Sequence, residues 1–280
     1  MAINMKKEKT ATAIENQYYL PNLLEKIINR LESQGIDIDN VERKDISGVD
    51  EFHVRGAQVS KELVESISLN NLKVLDVGCG LGGPARMIAD KFNCEVSGID
   101  MCSEYIRTAG GLSELVGLGN KTHFVQGDAL NLPYENESFD VVWTQHVQMN
   151  IEDKKQFYSE INRVLKTGGS FMYYDIFKTK GNTVNFPVPW ADSSSVSHLE
   201  TTENVHSVLD DLGMNMIKTT DQTAQALGFL NTLFAKIKAD GPPVLGLNVL
   251  MGKATKEKLG NILKGITDEN IVLQSGVFRK

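Results

Sequence analysis

A glycine-rich run follows the first stretch of β-branched residues in this 280-residue chain. It begins within the last residues of Lys73–Val77 and reads Asp76-Val-Gly78-Cys-Gly80-Leu-Gly82-Gly83. Glycines let a backbone turn sharply and approach a ligand closely, and the N-terminus of a following helix adds the positive end of its dipole. These residue types and their spacing therefore predict a loop that binds a nucleotide-like ligand.

The glycines alone leave two interpretations open. The spacing Gly78-x-Gly80-x-x-Gly83 satisfies the dinucleotide fingerprint of nicotinamide enzymes. The spacing Asp76-x-Gly78-x-Gly80-x-Gly82 resembles motif I of class I S-adenosylmethionine (SAM) methyltransferases. Asp100, at the end of the next predicted strand, fits both, because an acid at this place accepts hydrogen bonds from ribose hydroxyls.

Three later stretches favour the methyltransferase interpretation. Asp128 follows the third predicted strand in Gln126-Gly-Asp-Ala129, and Phe139-Asp-Val-Val resembles the family's usual fourth strand. Leu165-Lys-Thr-Gly-Gly169 resembles the family's LKPGG turn, with Thr167 in place of proline. Over residues 72–175 the chain therefore resembles class I SAM methyltransferases, with the sarcosine/dimethylglycine and phosphoethanolamine enzymes as the nearest types.

The resemblance implies SAM as the cofactor, S-adenosylhomocysteine (SAH) as the product and no metal. It places Asp128 beside the adenine amino group and the amide of Ala129 against the ring, while Arg55 is expected to bind a carboxylate by a bidentate fork. The implied cofactor-binding residues lie in turns and at strand ends: Arg55, Asp76, Gly78, Gly80, Gly82, Asp100, Met101, Asp128, Ala129 and Gln145.

Candidate catalytic residues follow the fourth and fifth predicted strands. His146 is the candidate base because histidine titrates near working pH, although a strand-capping role is equally compatible with the sequence. Asn150 would orient the acceptor. Tyr174 and Trp190 are the candidate substrate-binding residues, since an aromatic surface suits either a flat ring or a methylated ammonium.

The elements that position these residues alternate between strands and helices. This alternation predicts an α/β fold with a doubly wound parallel sheet, and the resemblance implies seven mostly parallel strands in a Rossmann-like arrangement. We expect a helical N-terminal cap over residues 1–60, a methyltransferase domain over 61–280 and a lid insertion at about 178–200. Within the cap, residues 12–35 and 56–68 are predicted helices joined by a polar connection over 36–50.

The boundaries predicted for the later elements follow the hydrophobic periodicity. Strands are expected at 73–77, 95–99, 122–126, 139–143, 170–174, 216–220 and 271–278. Helices are expected at 84–92, 103–117, 153–166, 202–212, 222–238 and 253–264.

Composition excludes several classes of protein. No apolar run approaches the ~18 residues of a membrane helix, and a net charge of −7 without a basic tract argues against nucleic-acid binding. Three cysteines without metal-ligand spacing favour a reducing, cytoplasmic location. The sequence leaves a homodimer open.

The function expected from these features is SAM-dependent methylation of a small molecule. A small amine or amino acid such as sarcosine or dimethylglycine is the first expectation for the acceptor. O- or C-methylation of a phenol, quinol or other apolar acceptor is the alternative. An NAD(P)-dependent oxidoreductase and a catalytically silent SAM-binding module are the remaining hypotheses.

Overall fold

A seven-stranded sheet forms the centre of the computed structural model, which describes residue 15 and residues 17–179, 181 and 184–280. The strands are β1 (Lys73–Val77), β2 (Glu95–Asp100), β3 (Thr122–Gln126), β4 (Phe139–Gln145), β5 (Leu165–Lys178), β6 (Asn215–Asp221) and β7 (Ile271–Arg279). Their order across the sheet is β3-β2-β1-β4-β5-β7-β6, and β7 runs antiparallel to both of its neighbours. The predicted mostly parallel sheet of seven strands is confirmed.

The helices of the described residues connect these strands or cover them. They are α1 (Leu23–Ser33), α2 (Arg43–Asp50), α3 (Ala57–Val64), α4 (Gly83–Phe92), α5 (Ser103–Leu115), α6 (Lys154–Val164), α7 (Thr202–Asp211), α8 (Thr223–Asp240), α9 (Asn248–Met251) and α10 (Thr255–Thr267). None of these helices is long and apolar enough to cross a lipid bilayer.

Alternating side chains of β1 pack into two different cores, one on each face of the sheet. Val74 belongs to the core that includes Ile88 of α4, while Leu75 belongs to the core that includes Phe157 and Ile161 of α6. A parallel strand that is buried on both faces is a continuous apolar run, as β1 is in the sequence. The two cores hold the strand rigidly, so the turn that follows it has a defined position.

The direction of winding reverses between β1 and β4. Beyond β1 the sheet continues to β2 and β3, and beyond β4 it continues to β5. Loops that leave the carboxyl ends of such strands diverge to opposite faces of the sheet and open a crevice between them, where ligands bind in this class of sheet. The glycine turn after β1 and the residues after β4 border this crevice.

The predicted polar connection at 36–50 is wrong, because α2 forms over Arg43–Asp50. A reciprocal capping box starts this helix: Glu42 and Asp45 each accept a hydrogen bond from the other's backbone amide. Ile46 and Val49 face inward, and the polar residues between them face outward. The hydrophobic periodicity of α2 covers too few residues to indicate a helix among the surrounding charged residues. The predicted helix at 12–35 is described only in part, since 12–14 and 16 lie outside the described residues.

Strand β5 is longer than predicted and includes the two glycines that were expected to separate it from the preceding helix. Gly168, at a φ of +77°, donates its amide hydrogen to the carbonyl of Lys280, and Arg279 donates to the carbonyl of Gly168. The C-terminal strand therefore stabilises the turn. Arg279 lies 111 positions from Gly168, so the local sequence around the turn carries no sign of these contacts.

The predicted lid insertion packs against the core where it is described. Val188 and Ala191 form an isolated bridge, and both are buried together with Trp190. Residues 180, 182 and 183 of this segment lie outside the described residues. The proposed boundary at residue 60 falls inside α3 (Ala57–Val64), and the division of the chain there remains a prediction.

Candidate functional site

The turn between β1 and α4 requires glycine for reasons of space as well as conformation. Gly78 and Gly80 have φ values of +73° and +53°, which disfavour side chains. A Cβ on Gly78 would lie 2.4 Å from Cγ2 of Val147, whereas a Cβ on Gly80 would meet nothing within 4 Å. Gly80 borders a cavity, so its missing side chain leaves room for a ligand to approach the backbone.

The first cavity lies at the carboxyl ends of β1, β2 and β4 and encloses about 990 Å³ of empty space, including its open mouth. Its walls come from the glycine turn, from strand ends and from the N-terminal cap. They include Tyr18, Phe52, His53, Asp76, Gly78, Gly80, Asp100, Met101, Gly127, Ala129, Gln145, His146 and Asn150.

Two carboxylates define the polar character of the first cavity. Asp76 is 2% exposed and its Oδ2 has no hydrogen-bond partner. Burial, and then the charges of Glu51 and Asp100, raise the pKa of Asp76 to about 8. Asp100 accepts hydrogen bonds from the amides of Gly80 at 3.0 Å and Cys102 at 2.9 Å. Burial still raises its pKa despite these bonds. The cavity therefore favours a ligand that brings a cation or hydrogen-bond donors.

The structure brings most of the expected cofactor-binding residues to this cavity. Asp76, Gly78, Gly80, Asp100, Met101, Ala129 and Gln145 line it. Gly82 does not line it. Instead, Gly82 precedes α4 with a φ of +78°, and a Cβ there would lie 2.6 Å from Cζ of Phe124. Gly82 therefore serves the turn and its packing.

Asp128 and Arg55 lie outside the cavity wall. Asp128 is exposed, and its Oδ1 accepts the amide hydrogen of Leu130 at 2.8 Å, so its side chain stabilises the turn after β3. Arg55 is buried and donates hydrogen bonds to Glu62 and to Oε1 of Gln222. The guanidinium expected to bind a ligand carboxylate is held by a carboxylate of the protein itself.

A second cavity adjoins the first and encloses about 520 Å³. The two cavities share Tyr18, Phe52, His53 and His146, which form the junction between them. Beyond the junction the wall is apolar: Val54, Met149, Pro189, Trp190, Phe229, Leu230, Leu233, Leu247, Met251, Leu259 and Ile262. No charged side chain of the described residues lines it. Such a space accepts an apolar molecule and excludes a charged one.

His146 lies at the junction, immediately after β4. Its φ is +53°, and its amide donates to the carbonyl of Tyr174 at 2.8 Å. The ring of Tyr174 packs beside it, with centroids 5.0 Å apart. Burial, and then the neighbouring His53, lower the pKa of His146 well below its usual value, and its Nε2 has no hydrogen-bond partner. His146 is therefore a neutral imidazole.

The other predicted catalytic and substrate-binding residues have different places. Asn150 lines the first cavity, but its side chain is occupied: it accepts from Tyr18 and donates to the carbonyls of Trp190 and Val196. It joins the N-terminal segment to the lid. Tyr174 is fully buried behind His146 and lines neither cavity. Trp190 does line the second cavity.

A hydrogen-bonded network below the junction was not predicted. Nε2 of His53 lies 2.6 Å from Oε2 of Glu51, which also accepts from Ser60 at 2.8 Å. Gln145 donates to Ser60, and Trp143 donates to Gln145. The spacing Glu51-x-His53 in the segment before β1 was the available signal, because an acid and an imidazole two residues apart can pair. In this segment the prediction selected Arg55, as a residue that binds a carboxylate.

The central part of the chain is similar in sequence to a known family of proteins. A sequence model described as a methyltransferase domain matches residues 75–173. Residues 75–173 form a SAM-dependent methyltransferase domain. The predicted resemblance is confirmed. The matched range includes the glycine turn, Asp100 and β4, while the cap and the residues after β5 lie outside it.

Curated relatives of the methyltransferase domain act on different kinds of molecule. The sterol 24-C-methyltransferase ERG6B of Gibberella zeae is 42% identical over 108 residues, which are 39% of this chain and 28% of that protein. The methyltransferase GfsG of Streptomyces halstedii is 28% identical over 186 residues, 65% of this chain and 66% of that protein. The chain thus spans less than two thirds of either relative.

Solved structures share the fold of the whole chain. A putative sarcosine dimethylglycine methyltransferase from Galdieria sulphuraria has a TM-score of 0.67 at 17% identity, and the match covers 92% of this chain and 98% of that one. At this identity the likeness concerns the fold.

Among the described residues, no group of three or more His, Cys, Asp or Glu side chains could hold a metal ion.

Proposed function

We propose that this protein transfers the methyl group of SAM to an apolar small molecule. The observation that carries the proposal is the pair of joined cavities. The first is bordered by a glycine turn and by the carboxyl groups of Asp76, Asp100 and the Arg86-paired Asp50, whereas no charged side chain of the described residues lines the second. The two cavities share four lining side chains, so ligands bound in them would lie next to each other, as a direct transfer requires.

The residues of the first cavity fit SAM. The unpaired Oδ2 of Asp76 is a buried acceptor suited to the ammonium of the amino acid tail. Asp100, held by two backbone amides, suits the ribose hydroxyls, and the backbone at Gly127 and Ala129 suits the adenine ring. When bound, SAM supplies a methyl group that is already activated by its sulfonium. The protein's contribution is therefore alignment and exclusion of water.

The apolar wall of the second cavity favours the alternative acceptor class over the amine expected first. Sarcosine and dimethylglycine carry a carboxylate, and burying a charge without a partner costs several kcal/mol or more. Arg55, which was expected to neutralise an acid, is bonded to Glu62 and Gln222. The acceptor is proposed to be a small molecule and not a nucleic acid.

Binding and turnover assays test the proposal separately. Calorimetry is expected to show SAH binding to the full chain and no heat with NAD or NADP. Labelled SAM is then incubated with matched panels of apolar acceptors and small amino acids, with transfer expected only to the apolar members. Absence of SAH binding, or transfer confined to sarcosine and its relatives, contradicts the proposed function.

A further inference from the structure

The junction between the cavities contains two imidazoles, and the structure gives them different surroundings. We propose that His53, oriented by Glu51, removes the proton from the acceptor, and that the acceptor is an apolar molecule with a phenol-type hydroxyl. This inference rests on the proposed function and names both the proton acceptor and the substrate class of the same site.

Glu51 fixes the orientation of His53. The side chains of Glu51 and His53 are 6% and 4% exposed, and Nε2 of His53 lies 2.6 Å from Oε2 of Glu51. Burial raises the pKa of Glu51, but the hydrogen bond and charge of His53, followed by the hydrogen bond from Ser60, bring it below its usual value. The carboxylate is therefore ionised and accepts a hydrogen bond from Nε2–H, so that in neutral His53 the lone pair is on Nδ1.

His53 lines the second cavity, and Nδ1 is the ring nitrogen that does not contact Glu51. Nδ1 is 3.4 Å from the carbonyl oxygen of Val54, and both residues line that cavity. When Nδ1 takes up a proton, each N–H of the imidazolium has an acceptor nearby, the Glu51 carboxylate at Nε2 and the Val54 carbonyl at Nδ1. A carboxylate that holds and stabilises an imidazolium in this way is the arrangement that activates hydroxyl groups in hydrolases.

The charges around His53 come from several elements. Glu51 lies on its own segment, His146 follows β4 with ring centroids 5.8 Å apart, and Tyr174 on β5 lies at 6.0 Å. Asp76 and Arg43 act on this group only through Glu51. His146 has no carboxylate partner, and burial and His53 keep it neutral. Of the two imidazoles, His53 is the one with a carboxylate partner.

A hydroxyl acceptor requires such a base. A phenol has a pKa near ~10 and is mostly protonated at neutral pH, so its oxygen is a weak nucleophile until the proton leaves. In the step proposed, the acceptor oxygen forms a bond to the methyl carbon and the carbon–sulfur bond breaks. The electron pair of that bond stays on sulfur, and the hydroxyl proton goes to Nδ1 of His53. The products are the methyl ether, SAH and protonated His53, which returns its proton to solvent.

A coloured phenol tests the inference without turnover. A 4-alkyl-2-nitrophenol absorbs in the visible only as phenolate, so titration of the probe bound to the protein–SAH complex reports where its proton is. In the wild type the apparent pKa of the bound probe is expected to fall by about one unit, a tenfold gain in phenolate. His53→Asn is expected to abolish this gain and Glu51→Gln to reduce it.

Two further variants make the result specific. His123→Asn changes an exposed histidine on β3 far from the junction and is expected to keep the full spectral shift. His146→Asn is also expected to keep it. A shift lost in His146→Asn but retained in His53→Asn overturns the assignment, as does an equal shift in wild type and His53→Asn. Failure of the probe to bind the SAH complex overturns the phenol class.

Calorimetry separates this inference from the proposed function. SAH affinity and the midpoint of thermal unfolding are measured for every variant, so that a variant that fails to fold is recognised. If His53→Asn does not fold, the milder change Glu51→Gln decides the test. Absence of SAH binding in the wild type removes the proposed function itself. Normal SAH binding with no phenolate gain removes only the inference about His53.

Discussion

The amide of Gly80 donates a 3.0 Å hydrogen bond to Oδ2 of Asp100, and this bond joins the turn after β1 to the end of β2. The amide of Cys102 donates to the other oxygen of the same carboxylate at 2.9 Å. Asp100 therefore has one orientation before any ligand arrives. A site that is oriented in advance loses less entropy on binding.

Asp100 and Asp128 are expected to contribute unequally to cofactor binding. Asp100→Ala removes hydrogen bonds to a charged group, worth about 1.5–3 kcal/mol, or about 10- to 150-fold in the Kd for SAH. Asp128→Ala is expected to change the Kd by less than about threefold, because Asp128 is exposed and bonded to Leu130. Calorimetry with SAH measures both. Equal losses would show that Asp128 contacts the cofactor as the sequence predicted.

Gly80→Ala is expected to impair binding through the space its Cβ would occupy. Gly168→Ala is the matched control, because both glycines have positive φ and open space at the Cβ position, but only Gly80 borders the cavity. Both variants should lose about 1–2 kcal/mol of unfolding free energy from backbone strain. Only Gly80→Ala should also weaken SAH binding, by about tenfold or more. Similar SAH affinities in the two variants would argue against a cofactor beside this turn.

Phe229→Ala is expected to act on the acceptor alone. Phe229 and Phe234 are both partly buried on α8, but only Phe229 lines the second cavity. Loss of its apolar contact should raise the acceptor KM by about tenfold, or ~1.4 kcal/mol, with SAH affinity unchanged. Phe234→Ala serves as the control for lost packing. The KM is measured by steady-state kinetics with an apolar acceptor that the enzyme methylates. The same KM in both variants would show that the acceptor binds elsewhere.

Two buried carboxyl groups of the cofactor-free protein are each expected to contribute stability that is lost as the pH rises from 4 to 8. The folded-state pKa of Asp76 is raised to about 8 and that of Asp175 to about 7, in both cases chiefly by burial. In this range the folded protein keeps protons that the unfolded chain releases, so raising the pH favours unfolding. Urea denaturation at each pH measures the effect.

Asp76→Asn isolates the contribution of one of these groups. The variant cannot ionise at this position, so the decline of its unfolding free energy between pH 4 and 8 should be shallower than in the wild type. Asp175 still contributes, and a residual slope up to about pH 7 is therefore expected. A wild-type slope in Asp76→Asn would mean that Asp76 is already ionised in the folded protein.

The sheet could be predicted from sequence because its signals are local. The strand β3 has the predicted bounds, 122–126, since a short apolar alternation between turns determines it. The helix α2 was missed because Ile46 and Val49 are its only buried apolar side chains and lie within a stretch of charged residues. The extension of β5 depends on the C-terminal residues, which local patterns do not include.

The candidate site could be predicted only where a motif contains it. Asp76, Gly78 and Gly80 line the first cavity as expected, because the turn that positions them is contiguous in sequence. Arg55 was misplaced although its ion-pair partner Glu62 is only seven residues away, and its other partner, Gln222, lies 167 residues away. The second cavity could not be predicted either, because its wall combines residues that are far apart in the sequence, from Val54 to Ile262.

The matched domain ends at residue 173, yet Trp190 and the side chains from α8 to α10 enclose the apolar space. The wall of the apolar space is therefore encoded on both sides of the matched domain and within it, with the larger part after residue 173. Mutations in the late helices can redirect such an enzyme toward a new metabolite while the donor machinery remains untouched. Shared motifs around the glycines thus carry little information about which compound is modified, and that information should be sought downstream.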